Sequence, residues 1–151
     1  MSPLVRLVGR RDTDTRAIQA LAELHLSFDH GIKRLEAVMA RDDDLTTEAA
    51  PLLLLHRRHQ AQLDEMGDIF EAMATTQKPW SQWLNETIDT AATPDAGLAE
   101  NPREALRSSE SRILSSLDAC IAHILTDPVR GVLEHMKADT LDAVRSADLE
   151  R

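Results

Sequence analysis

The chain has 151 residues, 42% of them hydrophobic, with only five glycines and a formal net charge of −9, enough for one ordinary domain with one core. Tyr is absent and aromatics make up 3%, while Ala, Leu, Glu, Asp and Arg dominate, a balance that favours helix and excludes an all-β fold. The 17 basic residues are scattered among 26 acidic ones, which argues against nucleic acid as a partner, and no segment approaches the roughly 20 apolar residues that span a bilayer.

The opening Met1-Ser2-Pro3-Leu4-Val5-Arg6 carries no apolar run of signal-peptide length, and the single Cys120 excludes an intrachain disulfide, so a cytoplasmic location is expected. Asp12-Thr13-Asp14 then offers N-cap oxygens and negative charge at the positive end of a helix dipole, predicting a first helix over about 13–41. Ile18, Leu21, His25, Phe28, Ile32, Leu35 and Met39 recur in it at alternating steps of three and four, the pattern of a stripe buried against other helices.

Asp42-Asp43-Asp44 predicts a short turn, after which Thr46 or Thr47 caps a second helix over about 47–75, with Pro51 near its first turn. A short turn makes the two helices antiparallel neighbours. The second stripe is Leu52, His56, His59, Leu63, Met66, Phe70 and Met73, widened by Leu55 and Ile69.

From Thr76 to about Asn101 the chain is irregular, punctuated by Pro79, Pro94, Gly97 and Pro102. A short helix is expected over about 79–91, turning Trp80, Trp83, Leu84 and Ile88 inward. A connection this long can run back along a bundle, so a crossover topology is favoured over simple up-down-up-down order.

The third helix is expected over about 102–125, with Asn101 as N-cap and Leu106, Glu110, Ile113, Leu117, Cys120 and Ile124 on its seam, flanked by Leu114, Ile121 and Leu125. Thr126-Asp127-Pro128 marks a stop and restart. The fourth helix, over about 128–147, buries Val129, Val132, Leu133, Met136, Thr140 or Leu141, and Val144. The fold class is thus all-α, a single domain over 1–151 built as an antiparallel four-helix bundle, ferritin-like in its long crossover with a short extra helix.

The order of landmarks from about Ile18 to Arg145 resembles a family of bacterial, ferritin-like four-helix-bundle proteins classed as a domain of unknown function. The likeness is carried by Asp29-His30-Gly31 in the first helix, Ala50-Pro51-Leu52-Leu53-Leu54-Leu55 opening the second, Trp83 after it and Glu110 in the third. Arg107 stands where the family has a further glutamate, and Leu117 where it has an inward Tyr. The resemblance implies the crossover bundle and brings no activity with it.

Ferritin-like di-metal sites need a Glu on each of two helices and Glu-x-x-His on each of the others. No Glu-x-x-His occurs here: the second helix has His56-x-x-His59, and Glu134 and His135 point about 100° apart around the fourth. The seam is nonetheless polar in places. His25 and His59 are expected at similar height, as are His30 and His56, with Glu36 a turn away, Glu110 from the third helix, and His135 paired with Asp139 at i, i+4.

Each of these has an ordinary alternative, since seam histidines are more often hydrogen-bonded core residues than ligands. Cys120 reads as a small core hydrophobe, and the methionines as gap fillers. Ser108, Ser109, Ser111, Ser115 and Ser116 fall on different faces of one helix and offer no nucleophile with an adjacent base.

Two functions therefore compete. One is a bundle without catalytic machinery that acts through self-association or a protein partner, needing no cofactor. The other is a metal-binding protein of reduced ferritin type, in which His25, His56, His59 and Glu110 hold iron or another transition metal.

Overall fold

The computed structural model describes residues 15–41, 43–73, 78–87, 101–123 and 127–147. Among these residues the chain is all-helical, with five helices: α1 (Thr15–Arg41), α2 (Asp43–Met73), α3 (Trp80–Glu86), α4 (Pro102–His123) and α5 (Asp127–Ser146). The proposed cap Asp12-Thr13-Asp14, the Phe70 and Met73 side chains, and Ile88, Pro94, Gly97, Ile124, Leu125 and Thr126 lie outside the described residues.

α1 is the best-covered helix because α2 and α4 both pack along its length, with α3 at one end. Ile18, Leu21, Phe28, Ile32 and Leu35 are buried, as the stripe predicts. So is a second row at the same spacing, Ala20, Leu24, Ser27, Gly31, Arg34 and Val38. Its residues are mostly small or polar, so apolar periodicity does not reveal it. At Gly31 a Cβ would lie 2.8 Å from Ile113 Cδ1, so glycine allows α1 and α4 to approach closely here.

Helix α2 begins four residues earlier than the expected start at 47, at Asp43, so neither Thr46 nor Thr47 is its cap and Pro51 lies inside it. Acidic residues in a first turn are favoured by the helix dipole, which lets α2 start close behind α1. Pro51 is exposed, and the carbonyl it leaves unbonded, that of Thr47, is on an exposed residue where water can satisfy it. Helix α3 is shorter than the expected 79–91, ending at Glu86, where the Thr87 hydroxyl donates to the Trp83 carbonyl at 2.7 Å. Helix α4 starts as expected, the Glu104 N–H donating to Asn101 Oδ1 at 3.0 Å.

Contacting residues give the helix directions. His25 meets Asp64 and Glu36 meets Arg57, so α1 and α2 are antiparallel. Ser27 meets Ser116 and Arg34 meets Ser109, so α1 and α4 are antiparallel as well. Glu48 meets Arg103 and His56 meets Glu110, so α2 and α4 run in the same sense. Helix α5 packs on α4 and α2, with Lys137 at Asp118 and Asp139 at His59.

Two apolar clusters fill the interior. One gathers Phe28, Leu63, Met66, Ile113, Leu117, Leu133 and Met136, and the other Ile32, Leu35, Leu52, Leu106 and Val144. On each long helix the residues between the clusters are polar and buried: His30 on α1, His56 and His59 on α2, Ser109 and Glu110 on α4, and Thr140 on α5. The core is thus divided by a polar layer at mid-height.

Candidate functional site: a buried polar layer

A polar group taken from water stabilises nothing unless it finds a partner. In this layer α1 provides one imidazole, His30, and α2 two, His56 and His59, while α4 provides the carboxylate. His56 Nε2 lies 2.8 Å from Glu110 Oε1 and 2.9 Å from Oε2, and the two side chains are 0% and 2% exposed. Facing the oxygens of a carboxylate, Nε2 donates to them. Phe28 packs against both imidazoles, its ring centroid 5.3 Å from that of His56 at 60° and 5.8 Å from that of His59 at 71°.

His59 is equally buried but differently partnered. Its Nε2 is 3.6 Å from Asp139 Oδ2, and the exposed His135 reaches the same oxygen at 3.6 Å from the preceding turn of α5. These separations exceed hydrogen-bond length. Burial first, and then His56, push the His59 imidazole down to about 4, although Asp139 pulls in the opposite direction. His59 and Asp139 line an open cleft of about 760 Å³ between α2 and α5, with Arg58, Gln62, Gly131 and Val132. His56 and His59 each retain a buried Nδ1 with no hydrogen-bond partner.

His25 belongs to a different place. Its Nε2 is 2.9 Å from Asp64 Oδ1, and its ring meets Trp80 edge-on with centroids 6.1 Å apart. The Trp80 indole N–H donates to the same Asp64 oxygen at 3.1 Å. The partner of His25 is therefore Asp64, just over one turn beyond His59, so the expected pairing of His25 with His59 gives way to a His25–Asp64–Trp80 junction under α3. Of the residues the sequence singles out, the structure joins His56 to Glu110, and His135 and His59 to Asp139. Glu36 faces Arg57 at the surface.

Sequence reasoning misses Arg34. Its guanidinium is buried and donates to the Ala105 carbonyl and to Ser109 Oγ, both at 3.0 Å, and its pKa is drawn below the usual value by burial and by Arg112. Ser27 and Ser116 share a 2.7 Å hydrogen bond between α1 and α4. The signal for both is positional: Ser27, Gly31 and Arg34 repeat at steps of four and three on α1. Cys120 is buried, its thiol pushed up to about 12 by burial, which suits a core hydrophobe rather than a nucleophile.

Among the described residues no three His, Cys, Asp or Glu side chains gather closely enough to hold a metal ion as they stand, and no helix is long and apolar enough to cross a membrane. No family model, curated protein or solved structure matches the chain.

Proposed function

We propose that the chain is a bundle protein without catalytic machinery, acting through self-association in the cytoplasm. The observation carrying this reading is the sealed His56–Glu110 pair: the one carboxylate in the heart of the polar layer is occupied on both oxygens by an imidazole and is withdrawn from solvent. The layer therefore works as an internal register device, fixing α2 against α4, rather than presenting a reactive group. The four long helices take the ferritin-like order of the resembled family. In support, α2 and α4 run in the same sense, as the second and third helices of a bundle with one long crossover do.

The surface supplies one apolar anchor. Leu54 on α2 is 68% exposed, the only large hydrophobic so placed among the described residues, and exposed Pro51, Arg57 and Arg58 flank it. Light scattering across a concentration series tests the reading. A dimer or larger assembly that Leu54→Asp converts to monomer is expected; a wild-type monomer at every concentration would refute it.

A second reading, metal binding of the reduced ferritin type, is favoured by one observation. His56 and His59 both turn Nε2 toward carboxylates and leave a buried Nδ1 unpartnered, as ligating imidazoles do when a carboxylate orients them. The fit is incomplete, because His25 is engaged elsewhere and Glu110 is already bonded to His56. Metal analysis of tag-free protein decides: a stoichiometric transition metal lost on His59→Ala would establish this reading over the first.

A further inference from the structure

A groove of about 620 Å³ runs between α1, α3 and α4, lined among others by Glu23, Lys78, Trp83, Glu86 and Arg112. One end of it already holds an ammonium group. Lys78 Nζ stands 4.0 Å from the centre of the Trp83 ring and forms an ion pair with Glu86. Gln82 Nε2 donates to the other Glu86 oxygen at 2.9 Å and steadies the carboxylate. An aromatic face and an oriented carboxylate are the elements that recognise an alkylammonium.

We propose that this end of the groove is a binding site for small aliphatic amines, occupied in the free protein by the chain's own Lys78. The lysine marks the position of the ligand's ammonium: over Trp83, against Glu86. A diamine suits the groove better than a monoamine, because Glu23 in the same lining gives a second ammonium a carboxylate. Arg112 also lines the groove and repels a cation brought near it, which directs the second ammonium toward Glu23. Lys78 is tethered only eight residues from Glu86, so it competes as an intramolecular ligand at an effective concentration on the order of millimolar. The site regulates itself: amine binds only as Lys78 leaves. It is independent of the association reading, since Leu54 lies on α2 and takes no part in it.

Calorimetric titration with 1,5-diaminopentane tests the proposal. Wild type is expected to bind weakly, and Lys78→Met and Lys78→Gln to bind at least about tenfold more tightly, because the internal competitor is gone. Adding Trp83→Leu or Glu86→Gln to Lys78→Met should abolish the gain, and 1-pentanol should not bind. These side chains are all partly exposed, and unchanged circular dichroism verifies each fold. Equal or weaker binding by both Lys78 variants, binding that survives in the double variants, or equal binding of 1-pentanol would overturn the proposal.

Discussion

His56 and His59 lie one turn apart on α2, both buried and both against Phe28, yet they behave as opposites. His56 meets Glu110 within hydrogen-bond length and away from water. His59 meets Asp139 at 3.6 Å beside an open cleft, and its imidazole is pushed down to about 4. The difference follows from where the partner carboxylate sits. Glu110 is on α4, which α2 meets across the closed interior, whereas Asp139 is on α5 at the edge of the cleft, its side chain 31% exposed. Burial of an imidazole alone therefore does not make a tight pair. The position of the carboxylate does.

Breaking the sealed pair should have the largest effect. Glu110→Leu removes one partner of a buried pair and leaves the other uncompensated, and a loss of about 3–5 kcal/mol is expected in urea denaturation. Adding His56→Leu should restore much of that loss, because two apolar side chains then replace two polar ones. A double variant as unstable as the single one would mean that the pair does not act as a unit.

The edge histidine should appear as pH dependence. Its pKa is about 4 in the folded chain and 6.5 as the ordinary value, so between these limits the unfolded state binds more protons. Stability is then full above about pH 6.5 and falls as pH drops toward 4, by about 2–3 kcal/mol. Thermal melts of wild type and His59→Phe across this window check the sign. The variant should lose this component of the slope, and an unchanged slope would assign the titration to other groups.

The apolar part of this comparison is legible in the sequence and the polar part is only half so. The three-and-four spacing of Ile18, Leu21, Phe28, Ile32 and Leu35 identifies buried residues correctly because burial on a helix is periodic. The same spacing brings out His56, His59 and Glu110 on their seams. Which carboxylate meets which imidazole is not periodic information, since it depends on interhelical register. Placing the start of α2 at 47 instead of Asp43 is one sign of how loosely turn signals fix that register. A turn near residue 42 sets His25 level with His59, whereas the structure pairs His25 with Asp64, five residues further along. Arg34 escaped for another reason: its guanidinium is satisfied by a backbone carbonyl and a serine, neither of which a charge pattern reveals.

The junction under α3 extends the comparison to a third imidazole and a smaller effect. A Cβ on Gly67 would lie 2.2 Å from the Trp80 indole, so Gly67→Ala must displace the ring, at about 1–3 kcal/mol. Trp80 is buried, and its displacement should red-shift the fluorescence emission. Wild-type emission with unchanged stability would show that the ring does not need the glycine.

Asp64→Asn probes the same junction by charge rather than shape, and should be the mildest of these changes. Asp64 accepts from both the Trp80 indole and His25, but its side chain is 51% exposed, so water screens the ion pair and replaces what is lost. An amide oxygen can still accept from the indole, so only the carboxylate charge facing His25 is removed, and exposed pairs of this kind contribute about 0–1 kcal/mol. Urea denaturation at low and high salt checks this. A loss below about 1 kcal/mol that shrinks with added salt is expected. A salt-independent loss of the size expected for Glu110→Leu would mean that Asp64 is sealed as Glu110 is, and that the contrast between interior and edge carboxylates fails at this end of the molecule.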